Sequence, residues 1–162
     1  MGILFRNRFV IVIIALVGLV YACGGQVQEV KIENTEQECQ LLIGAIRASD
    51  FKNAVVKGIV DKYEATCSIE VMNVGNVKEI TQKTYDVVLL VDGCRAGMRF
   101  NGKLKNFLDE LTQQNVVVFV IAGDSEWEYS YNGVDAVTSA SQDEKTQEVI
   151  QEIADKIDGL LQ

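Results

Sequence analysis

Apolar residues along the chain fall into two patterns that alternate. The runs QLLIGAI at 40–46, YDVVLLV at 85–91 and VVVFVIA at 116–122 are short and nearly uninterrupted, as expected for strands buried on both faces of a parallel sheet. CSIEVMNV at 67–74 alternates more, which suits an edge position, and VDAVTS at 134–139 is the weakest strand candidate. Between these runs the spacing turns helical. Phe51, Val55, Ile59 and Tyr63 form one stripe, and Leu104, Phe107, Leu108 and Leu111 a second. The segment 142–161 carries the clearest stripe of all, Val149, Ile150, Ile153, Ile157, Leu160 and Leu161, with Ser141 and Glu144 as a capping-box signature ahead of it. Such alternation predicts an α/β domain over 39–162, a doubly wound parallel sheet of about five strands with right-handed connections. Only about ten residues separate the last two strands, too few for a loop and a full crossover helix. The fourth helix is therefore expected to be shortened or missing, which leaves open a different pairing for the last strand.

The N-terminus follows neither pattern. Arg6 and Arg8 precede the apolar run FVIVIIALVGLVYA at 9–22, which ends at Cys23-Gly24-Gly25. Basic, then apolar, then small residues is the layout of a secretion signal. Val20-Tyr21-Ala22-Cys23 resembles the lipobox of bacterial lipoproteins, which implies a signal peptide over 1–22, a palmitate-bearing Cys23 as the mature N-terminus, and a lipid-anchored, extracytoplasmic domain in the cell envelope. An uncleaved anchor helix is the alternative, but about 20 apolar residues are needed to span a bilayer and this run is shorter. Residues 24–38, GGQVQEVKIENTEQE, are polar without a sustained period and read as part of a tether over 23–38.

Charge and composition narrow the chemistry. The formal charge is −8, and removal of 1–22 takes away Arg6 and Arg8 and no acid, which leaves −10. No basic stripe with interleaved aromatics is present, so nucleic acid is not an expected partner. The chain has no His, which excludes Ser-His and Cys-His catalysis and His-bearing metal sites. Cys94 lies beside Arg95, a cation that lowers thiol pKa values, but no second Cys is near it in sequence. Neither it nor the carboxylate pairs Asp109-Glu110 and Glu126/Glu128 is assigned a catalytic role.

One stretch does not fit a plain surface loop. AGDSEWEYSYNGVDAV at 122–137 places Trp127, Tyr129 and Tyr131 at alternating positions directly after an apolar strand. Either they collapse onto the edge of their own sheet, or they stack on something flat. The stretch resembles the loop after the fourth strand in short-chain flavodoxins, where a Gly-Asp-Ser step leads to an aromatic that stacks on the flavin. YDVVLLVDGCRAGMRFNGKLKNFLDEL at 85–111 is similar to the third strand, flavin-side loop and following helix of that family, and weaker similarity extends over most of 39–162. The resemblance implies a flavodoxin-like fold that holds FMN non-covalently. Trp127 would take the stacking position, and Asp124, Ser125 and Tyr129 the polar edge of the ring. Gly93, Cys94, Arg95 and Gly97 would form the loop whose backbone approaches the reactive ring nitrogen, with Arg95 where many members carry a second aromatic.

The phosphate loop departs from that family. Flavodoxins follow their first strand with a Ser/Thr- and Gly-rich loop that wraps the FMN phosphate at a helix N-terminus. Here the place reads Ala45-Ile46-Arg47-Ala48-Ser49-Asp50-Phe51-Lys52. Asp50 would repel a phosphate, and Ser49, Arg47 and Lys52 compensate only in part. Two functions stay open: a tethered electron carrier with a weakened phosphate site and a redox partner protein, or a cofactor-free extracytoplasmic binding module on the same fold. In a flavodoxin-like strand order Cys39 and Cys67 begin neighbouring parallel strands, so any disulfide is expected between them. Cys94 would stay free on the order of 20 Å away at the opposite edge.

Overall fold

The computed structural model describes residues 27, 29–33, 39–46, 49–74, 85–93, 102–110, 115–122, 135–140 and 142–162. The elements in chain order are β1 (Val30–Ile32), β2 (Cys39–Ala45), α1 (Asp50–Tyr63), β3 (Cys67–Asn73), β4 (Val87–Gly93), α2 (Gly102–Glu110), β5 (Val116–Ala122), β6 (Asp135–Ala140) and α3 (Thr146–Leu160).

The strands form one sheet in the order β1-β3-β2-β4-β5-β6. Every neighbouring pair is parallel except β1 with β3. Without β1, the order is that of flavodoxin-like doubly wound sheets, whose strand order reverses between the first and third strands of the parallel set. Here that switch point lies between β2 and β4. The sheet is therefore a flavodoxin-like α/β sheet, and β6 takes the ordinary outer place beside β5 rather than a different one.

Period-two alternation divides each strand between two apolar layers. Leu41, Ile43, Leu89, Val91, Phe119 and Val137 face α1 and α3, while Leu42, Val88, Leu90, Val118 and Val120 face the side closed by Leu108 of α2. Strands buried on both faces cannot spare polar positions, which is why their sequences read as continuous apolar runs. Helix α1 buries Phe51, Val55, Ile59 and Tyr63, the stripe expected from its spacing. It meets α3 closely at Gly58, where an added Cβ would collide with the Ile150 side chain. The Tyr63 hydroxyl ties the two helices again by donating to the Ala154 carbonyl (3.1 Å) and to Asp158 Oδ1 (2.6 Å).

Three expectations need correction. The segment 24–38 is not a plain tether, because Val30–Ile32 forms β1 and Val27 is buried in the layer beneath α1 and α3. A three-residue strand shows too little alternation to be recognised locally. In consequence β3 is not an edge strand; β1 covers it. Helix α3 starts at Thr146 rather than around 142, after a 3-10 turn over Asp143–Lys145 in which Lys145 N–H donates to the Gln142 carbonyl (3.0 Å). Ser141 of the capping-box signature lies outside the described residues, as do the lipobox with Cys23 and residues 123–134, where the shortened crossover helix was expected.

Cys39 and Cys67 are exact partners in the β2–β3 register, and they are joined in a disulfide with a Cα–Cα distance of 4.5 Å. The bond sits at the amino edge of the parallel strands. Cys94 lies outside the described residues.

Candidate functional site

Open α/β sheets bind ligands beyond the carboxyl ends of their strands, at the switch point. In this chain that place is bounded by Ala45 and Ile46 after β2, by Asp92 and Gly93 at the end of β4, and by the first turn of α1. Ser49, ahead of α1, and Gly93, at the end of β4, both lie at this edge.

Ser49 is the N-cap of α1. Its extended backbone (φ −142°, ψ 160°) lets the side-chain Oγ accept from Lys52 N–H at 3.3 Å, while its carbonyl accepts from Asn53 N–H at 2.9 Å. A capped helix start has already spent on its own chain part of the donor set that a phosphate would use. Ser49 thus performs the commoner task of a serine at that position.

Lys52 lies beside the switch point. It is only 8% exposed, although ammonium groups are seldom buried without partners. Its Nζ donates to the Ile46 carbonyl at 2.7 Å, and Ile46 N–H in turn donates to the Val91 carbonyl at 3.1 Å, which closes β2 onto β4. The lysine stem passes over Gly93, where an added Cβ would lie 3.3 Å from Nζ and 3.4 Å from Cε. A side chain at position 93 would require the end of the lysine to give way by a few tenths of an ångström. Beside it Asp92, 5% exposed, accepts from Gly93 N–H through Oδ1 at 2.7 Å.

The Ile46 carbonyl and the Lys52 ammonium thus face each other beside the switch point. A cation in the first turn also opposes the helix dipole, so its position reflects the Ile46 carbonyl and its other partners rather than the helix. One N–H of the helix start and one donor of the Lys52 ammonium are thus taken by the chain itself, while Arg47 and Ala48 lie outside the described residues. Cys94, Arg95, Gly97, Asp124, Ser125, Trp127 and Tyr129 lie outside the described residues; the chain enters their segments from Gly93 and Ala122, at this same edge. The buried pair of Lys52 and Asp92 was not singled out as such from sequence. A signal was available, since Lys52 stands three residues before Val55 and so flanks the buried stripe of α1.

No family model matches the chain, and no curated protein matches it in sequence. Among solved structures it is similar to a flavodoxin from the domain Archaea, with a TM-score of 0.49 and 11% identity over 76% of this chain and 99% of that one. Oxidised flavodoxin 2 from Bacillus cereus gives a TM-score of 0.46 and 14% identity over 76% of this chain and 98% of that one. The flavodoxin-like character of the fold rests on the strand order itself.

Proposed function

We propose that this chain is an exported lipoprotein whose flavodoxin-like domain works as an extracytoplasmic binding module without an FMN phosphate site. The observation that carries this reading is the use of one helix-start N–H by Ser49 and of the Lys52 ammonium by the Ile46 carbonyl, which leaves fewer donors for a phosphate. Export is supported by the Cys39–Cys67 disulfide, since such bonds persist in oxidising compartments. Anchoring is supported by the basic, apolar and lipobox sequence ending at Cys23. Cys23→Ser is expected to leave an unprocessed precursor without palmitate label. Wild-type protein that retains residues 1–22 and takes up no label would refute the anchor.

The second reading, an FMN electron carrier, is favoured by the aromatic stretch at 122–137. The protein would then supply stacking and hydrogen bonds, and the flavin the redox chemistry. Trp127 is the only tryptophan, so a fluorescence titration separates the two. The module reading expects no saturable quench by FMN. An equal, saturable quench by FMN and riboflavin would establish the carrier without its phosphate site. FMN binding about tenfold tighter than riboflavin, roughly 1.4 kcal/mol, would show that the phosphate is held and that Lys52 has been misread.

A further inference from the structure

The sequence alone gives the anchor a leash of some fifteen residues, long enough to let the domain face any way. The structure removes most of that leash. Strand β1 is antiparallel to its neighbour, with Val30 opposite Val71 and Ile32 opposite Ile69. The chain that precedes β1 therefore leaves the sheet at the carboxyl edge, beside the end of β3. Two contacts fix this exit: Asn73 N–H donates to Glu29 Oε1 at 3.4 Å, and Val27 is buried in the core layer that contains Val71, Phe51 and Val55. Only four peptide steps separate Val27 from Cys23, and these reach at most about 14 Å when fully extended.

We propose that the carboxyl edge of the sheet, with the switch point at Lys52 and Gly93, is held against the bilayer surface. This rests on the lipid anchor at Cys23 proposed above. The parallel strands of seven residues are on the order of 20 Å long. An orientation with the amino edge on the membrane would lift the exit point by that length, beyond what the leash allows. The disulfide end of the domain consequently points away from the membrane, and whatever the carboxyl edge binds must be reached at the bilayer interface.

Helix α1 supplies the ruler for a test. Asp50 opens it at the carboxyl edge, and Glu64 follows it at the amino edge; both are exposed, and fourteen residues of helix separate them by about 21 Å. In a Cys94→Ser background, Asp50→Cys and Glu64→Cys would each carry a nitroxide on the full lipidated chain, in phosphatidylcholine vesicles that contain a nickel-chelating lipid. Headgroup-bound nickel should relax the label at 50 at least several-fold more than the label at 64. A spacer of twenty Gly and Ser residues inserted after Gly25 should abolish the difference. Equal relaxation of the two labels in the unmodified, lipidated protein, or stronger relaxation at 64, overturns the proposed orientation while the anchor stands. If mass spectrometry finds no lipid on Cys23, the anchor reading fails and the orientation falls with it.

Discussion

Reducing the Cys39–Cys67 bond isolates one covalent link while every side chain stays in place. The bond closes a loop with a sequence separation of 28 residues that contains β2 and α1 and ends at the first residue of β3. In the chain-entropy account, a loop of that length restricts the unfolded state by an amount worth about 3.5 kcal/mol. Domains of this size have roughly 5–15 kcal/mol in all, so the loss is large but survivable. Native packing should change little, because Cys67 is fully buried and a reduced thiol behaves as a small hydrophobe. Urea unfolding with and without a phosphine reductant measures the difference directly, provided a thiol titration shows complete reduction. We expect the reduced protein to lose about 2–4 kcal/mol and its melting temperature to fall on the order of 10 °C. Its denaturant slope should also rise, since an uncrosslinked unfolded chain exposes more surface. A loss below about 1 kcal/mol at full reduction would refute this account, and would mean that β2 and β3 stay associated in the unfolded ensemble.

Gly58→Val should destabilise the domain by about 1–3 kcal/mol, read by urea denaturation, because Ile150 already fills the space a side chain would enter. Lys52→Met keeps the apolar stem but leaves the Ile46 carbonyl without the ammonium, and should cost about 1–3 kcal/mol in a thermal melt; no loss would show that the hydrogen bond is not formed. Stability should fall as pH rises above about 10, the ordinary tyrosine value. Burial first, then the hydrogen bond to Asp158 and the charges of Asp158 and Asp155, raises the Tyr63 pKa; burial and then Glu70, which accepts from the Tyr85 hydroxyl at 2.9 Å, does the same for Tyr85. Below pH 10 both folded and unfolded chains hold these protons and the contribution is complete. Above it the unfolded chain releases protons that the folded chain retains, which favours unfolding. Tyr63→Phe with Tyr85→Phe should flatten the decline between pH 9 and 11 even if stability at pH 7 is lower.

How much was legible follows from which forces act locally. The runs at 40–46, 67–74, 85–91, 116–122 and 134–139 each became a strand within two residues of the expected ends, because a doubly covered strand must be apolar at successive positions. One boundary moved for a non-local reason. Strand β4 starts at Val87 rather than Tyr85 because Asp86 turns outward to latch β2: its Oδ2 accepts from Gln40 N–H at 2.7 Å and its N–H donates to the Gln40 carbonyl at 2.9 Å. Helix α1 was equally plain, since four apolar residues at i, i+4 spacing leave one face to bury. The 3-10 turn before α3 was not, because Ser141 and Glu144 satisfy the helix-start pattern and only the course of the chain from β6 decides whether a helix begins there.

The position of Ser49 at the start of α1 was legible, and its task there was not. A serine ahead of a helix serves equally as a cap for its first turn or as a ligand to a phosphate there, and both tasks draw on the same few N–H groups. What separates them is which partners the neighbouring groups take, and Lys52 Nζ donates to the Ile46 carbonyl. Strand β1 makes the complementary case. Three residues with Lys31 in the middle cannot be distinguished from linker by pattern, since their pairing depends on the edge that β3 leaves free. Once paired, they turn a polar tail into a short tie at a defined corner of the sheet. The same corner adjoins the edge from which the segments with Arg95, Trp127 and Tyr129 depart. A lipid on Cys23 would therefore hold that corner, and not the disulfide end, within about 14 Å of the bilayer, so any change that unpairs β1 should alter what the edge can reach without touching a residue that lines it.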